Sequence, residues 1–374
     1  MRVAFVTHGC RLNRADTDAM AGSLRAQGHE VVGETGDADT VVVNTCTITG
    51  EADADARAAL RRIGRAHPDA RIVATGCWAT AHPDQARALG AAVVLGNADK
   101  HRIDEATSRD FVAVSSLRRR GVPSLHAALP IDRSRALLKV QDGCNYRCAF
   151  CIVPHVRGPS RSLSVEEVVE QTKVLVTAGA AEIVMTGVHL GTWGRDLRPR
   201  RRLVELVDTV LPHLGAARLR ISSVDPHEVD DDLLRLIAGT DGRICRHLHL
   251  PTQSLDDGVL RAMRRGHTAA QFADVVWRAV SLVEGIAIGT DVIAGFPTED
   301  AAAFARTRDR LAALPLAYVH AFAFSPREGT PAASLPDLVG ARVRKDRVAQ
   351  LRAVSERHAD VFARRHAGAQ LDVV

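Results

Sequence analysis

The amino-acid sequence predicts an α/β fold in two parts: a doubly wound parallel sheet in the N-terminal third, then a second series of alternating strands and helices. Short apolar, β-branched runs alternate with stretches of helical periodicity, which is typical of parallel strands covered by helices. Hydrophobic residues make up 46% of the 374 residues and aromatic residues only 4%, so we expect a core of aliphatic side chains.

Three predicted strands of the first part each end shortly before a cysteine. Apolar runs precede Cys10, Cys46 and Cys77, and helical patterns at about 14–27 and 51–67 lie between them. Because parallel strands of such a sheet point the same way, the loops after their carboxyl ends gather at one edge, where ligands usually bind. We therefore expect these thiols to meet there and to hold a cluster. Three small buried residues are the alternative interpretation.

A second cysteine set occupies one short loop. Cys144, Cys148 and Cys151 form a CxxxCxxC run directly after the apolar stretch 136–140. Three thiolates on one loop suit an iron–sulfur cluster, which is normally held by four cysteines, so one iron would stay open for another ligand. No partner pair follows at the spacing of a zinc site. Zinc and plain buried thiols remain the alternatives.

Composition limits the function classes. The net charge of +5, from 49 basic and 44 acidic residues, is compatible with a nucleic-acid partner but is weak evidence alone. No run approaches the length of a membrane span and the N-terminus begins with a strand pattern, so we expect a cytoplasmic protein. Seven cysteines in such a protein favour ligands over disulfides. Cys245 fits neither set and is expected to be a packing residue.

The second part of the chain repeats the alternation of strands and helices. We expect its strands near 136–140, 182–186, 217–221, 246–250, 286–293 and 317–323. Between the two parts, residues 99–134 carry Arg118–Arg120, two prolines and little periodicity, which predicts an interdomain linker. His247 and His249 lie on one side of a predicted strand, where a structural pair is expected rather than a metal site.

These patterns resemble a known family. The CxxxCxxC loop resembles the signature of radical S-adenosylmethionine (SAM) enzymes, and the two three-cysteine sets together resemble the methylthiotransferases. Segments that are similar to family motifs, in the family's order, are Thr7–Cys10, Asn44–Thr47, Thr75–Cys77, Gly143–Gly158, Glu182–Gly187, Arg220–Ser223, His247–Ser254, Asp291–Pro297 and Ser325–Thr330. The resemblance implies that the second part is an open radical SAM partial (βα)6 barrel.

The resemblance also implies the cofactors and the residues that hold them. The metal ligands would be Cys10, Cys46, Cys77, Cys144, Cys148 and Cys151, holding two [4Fe-4S] clusters. The loop set would bind SAM on its open iron, and the N-terminal set would supply or carry sulfur. SAM contacts are expected from residues near the carboxyl ends of the barrel strands: Gly187, Ser222, Ser223, Gln253, Asp291 and Gly295. Ordinary turn, capping and loop roles are the alternatives for these residues.

Arg157 and Arg161, beside the cluster loop, are candidates for contacts with the substrate. Arg157 has an alternative role as a salt bridge that orders this loop. The implied reaction inserts a methylthio group at C2 of N6-threonylcarbamoyladenosine next to the tRNA anticodon, because Cys10-Arg11-Leu12-Asn13 is similar to that branch. Isopentenyladenosine in tRNA and an aspartate of a ribosomal protein are alternative substrates. An electron donor such as flavodoxin or ferredoxin and a sulfur source would be further partners.

The expected domains are residues 1–98 with the second cluster, a linker at 99–134, a radical SAM core at 135–330, and a C-terminal region at 331–374. That last region would hold a helix and then, at Gly368–Val374, the possible start of a truncated RNA-binding barrel of the TRAM type. Two more remote hypotheses stay open. One is a radical SAM enzyme whose N-terminal cluster only relays electrons, and the other is a zinc-stabilised nucleic-acid-binding protein.

Overall fold

The computed structural model describes residues 1–33, 38–117, 127–128, 134–336 and 339–370. Within these ranges, the helices are all too short or too polar to cross a membrane.

The first domain alternates strands and helices as the periodicity predicts. Its elements are β1 (Arg2–Thr7), α1 (Arg11–Ala26), β2 (Glu30–Val32), β3 (Thr40–Thr45), α2 (Gly50–Ala66), β4 (Arg71–Thr75), α3 (Gly76–Ala81), α4 (Pro83–Ala88), β5 (Val93–Leu95), α5 (Ile103–Ala106) and β6 (Phe111–Ala113). The strands form one parallel sheet in the order β2-β1-β3-β4-β5-β6. Val41 and Val43 of β3 pack on one face and Val42 on the other, so the sheet is buried on both sides.

This strand order puts a topological switch point between β1 and β3. Helices leave these two strands on opposite faces of the sheet, which opens a crevice at their carboxyl ends. Cys10 follows β1 and Cys46 follows β3, so both cysteines border this crevice, and Cys77 follows the adjacent strand β4.

The predicted linker begins too early. Residues 103–106 are helical, and β6 pairs in parallel with β5 as the sixth strand of the sheet. The first domain therefore extends past residue 98 to at least Ala113. Both elements are short and lack helical or strand periodicity, which is why the sequence pattern did not reveal them. Arg118–Arg120 lie outside the described residues.

The second domain contains the six predicted parallel strands and a short antiparallel pair. Its elements are β7 (Arg135–Lys139), β8 (Gln141–Asp142), α6 (Val153–Arg157), β9 (Arg161–Ser162), α7 (Val165–Thr177), β10 (Glu182–Thr186), α8 (Leu203–Val210), β11 (Arg218–Ile221), α9 (Asp231–Gly239), β12 (His247–His249), α10 (Asp257–Ala262), α11 (Ala269–Leu282), β13 (Ala287–Ala294), α12 (Ala301–Ala313), β14 (Tyr318–Ala323) and α13 (Ala341–Arg364). Local signals set several boundaries. For example, Ser164 and Glu167 form a capping box that starts α7.

The six parallel strands form two three-stranded groups that are joined edge to edge. β7, β10 and β11 form one parallel group, and β12, β13 and β14 form another. Single bridges between Leu219 and Ile244 and between Ser223 and His249 join β11 to β12. A continuous aliphatic core lies between these strands and their helices. This arrangement is the predicted partial barrel, with all carboxyl ends of its long strands at one edge.

The C-terminal helix α13 packs against β14, where the amide of Val319 donates to the Ser355 hydroxyl at 2.8 Å. This helix is the one predicted for the C-terminal region. The possible barrel strand at Gly368–Val374 falls mostly on residues 371–374, which lie outside the described residues.

Candidate active site

The three N-terminal cysteines lie together, as the sheet topology predicts. Cys10, Cys46 and Cys77 line one cavity of about 470 Å³. Gly9 has φ +93°, and a Cβ atom there would lie 2.6 Å from the Cys46 sulfur. Glycine is therefore required here to make room for the Cys46 side chain.

Two buried asparagines hold the cysteine loops in place. The Asn13 side-chain amide donates to the carbonyls of His8 and Thr45, both at 2.9 Å, and so ties the loop after β1 to the end of β3. The Asn44 amide donates in turn to the Asn13 carbonyl at 2.7 Å. A third amide, that of Asn97, lies 3.5 Å from the Cys77 sulfur. These bonds give the three thiols a fixed arrangement.

The second set lies on the loop between β8 and α6. The Cys144 sulfur is 3.5 Å from Nδ1 of His189, and Arg265 Nη1 is 3.6 Å from the Cys148 sulfur. Nε2 of His189 lies 2.9 Å from a Glu228 carboxylate oxygen. Burial alone would lower the pKa of His189, but its hydrogen bonds with Cys144 and Glu228 outweigh this effect and raise the pKa to about 9. Protonated His189 and Arg265 thus place two positive charges beside the loop thiols.

Both cysteine sets suit a metal cluster. Burial raises the pKa of Cys46 to about 11, and neighbouring Cys77 and Cys10 add to this effect. Burial likewise raises the pKa of Cys151 to about 12, with Cys148 and Cys144 contributing. Thiols with pKa values raised in this way become thiolates near neutral pH only when a cation is bound among them. Each set therefore offers three soft donors that match an iron–sulfur cluster with one open iron.

The seventh cysteine belongs to neither set. The Cys245 sulfur lies 3.5 Å from the Glu182 carboxylate and is buried. This position agrees with the packing role expected from the sequence.

The cavity of the N-terminal cysteines, called here the interdomain cavity, is shared by both domains. The second domain contributes to the lining Thr186, Gly187, Ser222 and Ser223, at or just after the ends of β10 and β11, and Asp291 within β13. Ser222 is 3% exposed, and its hydroxyl has no hydrogen-bond partner among the described residues. An unsatisfied buried hydroxyl at a cavity wall is suited to a bound ligand.

The remaining predicted SAM contacts, Gln253 and Gly295, are not in the described lining of this cavity. Gln253 has φ +73° and pairs with Val292 beside β13. A Cβ atom at Gly295 would lie 2.2 Å from Arg344, so packing of α13 already requires glycine there. Their SAM contacts stay predictions, as do those of Gly187, Ser222, Ser223 and Asp291.

Arg157 connects the two domains. It is 2% exposed, and its guanidinium lies 3.1 Å from Asp16, 3.0 Å from Asp142 and 2.7 Å from the Asn13 side-chain oxygen. This geometry fits the alternative role, a salt bridge that orders the cluster loop. Arg157 also borders the interdomain cavity, so its contact with the substrate stays a prediction. Arg161 is buried and donates to the Arg157 carbonyl at 3.0 Å, and its substrate contact also stays a prediction.

A buried charge network surrounds this connection. Lys100 contacts Asp16 at 2.6 Å, and Lys139 contacts both Asp16 and Asp142. Burial alone would raise the pKa of Asp16, but Lys100, Lys139 and Arg157 hold it well below its usual range. Three cations thus enclose two carboxylates beside the N-terminal cysteines. No local sequence pattern predicts this network, because its members are far apart in the chain.

A second polar group forms another wall of the interdomain cavity. One Asp291 carboxylate oxygen lies 3.0 Å from His249 Nε2 and 3.2 Å from His320 Nδ1. The Tyr318 hydroxyl lies 3.1 Å from His249 Nδ1 and 2.9 Å from His247 Nε2. His247 and His249 thus both contact Tyr318, and the structural role expected for this pair stays a prediction. Tyr318 and His320 carried no local sequence signal and were not predicted.

Comparisons with known proteins agree with this geometry. The profile of the Uncharacterized protein family UPF0004 matches residues 2–96, and that of the Radical SAM superfamily matches residues 138–311. The threonylcarbamoyladenosine tRNA methylthiotransferase MtaB of Bacillus subtilis is 36% identical over 382 residues, covering 100% of this chain and 84% of that protein. The chain belongs to the radical SAM methylthiotransferase family. It is therefore an enzyme of this kind, with SAM and iron–sulfur clusters as cofactors.

Other methylthiotransferases are also similar. The MtaB of Aquifex aeolicus is 35% identical over 379 residues, covering 99% of this chain and 92% of that protein. The ribosomal protein uS12 methylthiotransferase RimO of Desulforudis audaxviator is 30% identical over 386 residues, covering 100% of this chain and 85% of that protein. Relatives with different substrates thus share the whole architecture, and family membership alone leaves the substrate open.

A solved structure shows the same fold. The radical SAM methyltransferase TsrM from Kitasatospora setae matches with a TM-score of 0.62 at 16% identity, covering 88% of this chain and 76% of TsrM. At this identity the likeness concerns the fold alone. The predicted fold class, an α/β domain followed by a radical SAM partial barrel, is confirmed.

Proposed function

We propose that this methylthiotransferase acts on tRNA and attaches a methylthio group at C2 of N6-threonylcarbamoyladenosine next to the anticodon. The observation that carries the proposal is the interdomain cavity, where Cys10, Cys46 and Cys77 share one lining with Thr186, Gly187, Ser222, Ser223 and Asp291 of the second domain. Sulfur held by the first domain would reach a substrate placed in this cavity against the radical SAM domain. The names of the MtaB relatives support the choice of nucleoside.

Each cysteine set would hold a [4Fe-4S] cluster. Cys144, Cys148 and Cys151 would hold the one that binds SAM, and Cys10, Cys46 and Cys77 the one that carries sulfur. When bound, the clusters and two molecules of SAM supply the electron, the radical that removes the C2 hydrogen, the sulfur and the methyl group. The protein supplies positions and charges. Candidates for SAM contacts remain Gly187, Ser222, Ser223, Gln253, Asp291 and Gly295.

The chain's own residues would hold the two cysteine sets in a fixed position relative to each other. Arg157 and Asn13 link α1 to the end of the cluster loop, so the two domains cannot shift without breaking buried ion pairs. His189 and Arg265 would place positive charge beside Cys144 and Cys148, where thiolates are needed.

An external electron donor such as flavodoxin or ferredoxin and a sulfur source complete the proposal, because no residue of the chain supplies electrons or sulfide. Two domains would divide the work, with the first extending to about Ala113 and the radical SAM core beginning near Arg135. Isopentenyladenosine in tRNA and an aspartate of ribosomal protein uS12 remain the competing substrates.

The test is an anaerobic assay of the reconstituted full chain with SAM and a chemical reductant. Three substrates are compared: tRNA carrying N6-threonylcarbamoyladenosine, tRNA carrying isopentenyladenosine, and uS12 protein. Mass spectrometry should find the methylthio product with the first substrate at least about tenfold faster than with the others. A faster reaction with either competitor would refute the proposed substrate while leaving the family assignment intact.

A further inference from the structure

Arg11 is a cation at the edge of the interdomain cavity that has not yet been given a role. It is the first residue of α1, it is exposed, and it lines the cavity beside Cys10. The other arginine of the described lining, Arg157, is committed to Asp16 and Asp142. For Arg11, no ion pair or side-chain hydrogen bond is found with any residue that the structure describes. Its guanidinium is therefore available to a ligand in the cavity.

The local backbone adds to this positive character. The first turn of α1 contains no acidic residue, and the side chain of Cys10 at its N-cap makes no capping hydrogen bond. The N-terminal end of a helix carries a partial positive charge, so it favours an anion placed at this end of the cavity. The unpartnered, buried hydroxyl of Ser222 lines the same cavity and offers an independent polar contact.

Arg11 shares the cavity lining with a carboxylate and two imidazoles. Asp291 is held between His249 and His320, and Asp291, His249 and His320 all line the cavity. Next to this group, burial raises the pKa of Tyr318, and the Arg11 charge is the largest effect that opposes this rise. The cavity thus presents a cation together with a carboxylate and two imidazoles.

This arrangement matches the chemistry of a threonylcarbamoyl group. Such a group carries a carboxylate, a hydroxyl and two urea N–H groups. An arginine fork binds a carboxylate through two parallel hydrogen bonds, while Asp291 can accept from a hydroxyl or an N–H. An isopentenyl group has no polar atom for Arg11 or Asp291 to bind, so its binding would leave both side chains without a hydrogen-bond partner on the substrate.

We propose that Arg11 recognises the carboxylate of the threonylcarbamoyl group and is the specificity-determining residue of the cavity. This inference rests on the proposed function, since it names the part of that substrate that is recognised. In this inference Asp291, positioned by His249 and His320, contacts the polar remainder of the same group instead of SAM, so it leaves the set of candidate SAM contacts.

The test measures RNA binding rather than turnover. The reconstituted full chain is titrated anaerobically with three fluorescent anticodon stem-loops, which carry N6-threonylcarbamoyladenosine, the methyl ester of its carboxylate, or unmodified adenosine. The parent protein should bind the free acid about tenfold more tightly than the ester, because a hydrogen-bonded charge is lost in the ester. Arg11→Gln should reduce this ratio to about one, and Arg11→Lys should retain part of it.

Arg14→Gln is the matched control, because Arg14 is an exposed arginine on the same helix outside the described lining of the cavity. It should keep the parental ratio, and equal iron content in all variants verifies their fold. An Arg11→Gln protein that still prefers the acid overturns the inference, as does a parent that does not distinguish acid from ester. Product formation by the parent, measured separately, decides the proposed function independently of this ratio.

Discussion

The two cysteine sites differ in how the chain builds them. Cys144, Cys148 and Cys151 lie within one loop, so the spacing of the loop alone brings the thiols together. The N-terminal thiols lie just after three separate strands, β1, β3 and β4, and meet only when the parallel sheet has formed. A site of the first kind can be recognised from a motif, whereas a site of the second kind requires the strand order. The second kind also depends on its domain for stability.

Their electrostatic surroundings differ too. The loop thiols have His189 and Arg265 as direct neighbours, so single side chains tune them. The N-terminal thiols lie above the network of Lys100, Lys139 and Arg157, which also joins the domains. The loop site can therefore be changed locally, while changes near the N-terminal site also affect how the domains dock. Four predictions test this contrast.

The largest effect is expected when the loop site loses a thiolate. Cys148→Ala removes one of three ligands of the radical-generating cluster, so SAM cleavage should fall by at least about a hundredfold. The measurement is 5′-deoxyadenosine formed by anaerobically reconstituted protein with a chemical reductant. Cys245→Ala, which changes the one cysteine outside both sets, is the matched control and should cleave SAM. Parental cleavage by Cys148→Ala would disprove the assignment of the loop.

Damage to the N-terminal site should separate the two activities. Cys46→Ala removes a ligand of the sulfur-carrying cluster but leaves the loop intact, so the methylthio product should vanish while uncoupled 5′-deoxyadenosine continues to form. Both compounds are quantified in one reaction by mass spectrometry. Equal yields of methylthio product from variant and parent would rule out a sulfur-carrying role for this set. They would leave electron relay as the better explanation.

The charge network should contribute mainly to the free energy of unfolding of the whole chain, and less to the properties of either cysteine site. Arg157→Met leaves Asp16 and Asp142 buried with fewer partners, and we expect the free energy of unfolding to fall by about 3 kcal/mol. Urea unfolding of the cluster-free full chain measures this loss. Arg14→Met on the exposed face of α1 is the control and should change stability by less than about 0.5 kcal/mol. Similar small effects in both variants would mean that the network does not hold the domains together.

The smallest effect concerns the polar wall and depends on pH. Burial lowers the pKa of His247 to about 3, with further lowering by Arg220 and His249. In the unfolded chain the same group has a pKa of about 6.5, so between these values the unfolded state binds the extra proton. Stability is therefore lost as pH falls below about 6.5.

At pH 5 the difference between the folded-state and unfolded-state pKa of His247 lowers the free energy of unfolding by about 2 kcal/mol. Between pH 7.5 and pH 5, the parent should lose about that much more stability than His247→Gln, measured by urea unfolding of the cluster-free chain. His101→Gln, at an exposed histidine, serves as the control and should follow the parent. Identical pH dependence in parent and His247→Gln would show that His247 is not held neutral by burial.

The sequence pattern predicted the structural features that depend on residues close together in the chain. Periodicity located the parallel strands, and the sheet topology that they imply placed Cys10, Cys46 and Cys77 at one edge. It missed the short elements 103–106 and 111–113, which have too few residues to show a period. It also did not show why Gly9 must be a glycine, because the close approach of the Cys46 side chain is a contact between distant segments.

The same limit applies to the site. The interdomain charges of Asp16 and Lys100, and the contacts of Tyr318 and His320, join residues that are remote in sequence. No local spacing encodes such pairs. Motifs therefore supplied the candidate ligands of the clusters, and the structure supplied the surroundings that orient them and shape the cavity between the domains.

The most direct test of the account is the iron and sulfide content of three anaerobically reconstituted proteins. The parent should contain about eight iron and eight sulfide ions per chain, as two [4Fe-4S] clusters require. A variant with Cys10, Cys46 and Cys77 all changed to alanine should contain about four of each, and so should one with Cys144, Cys148 and Cys151 changed. Zinc instead of iron in the parent, or unchanged iron in either triple variant, would contradict the claim that each cysteine set holds its own cluster.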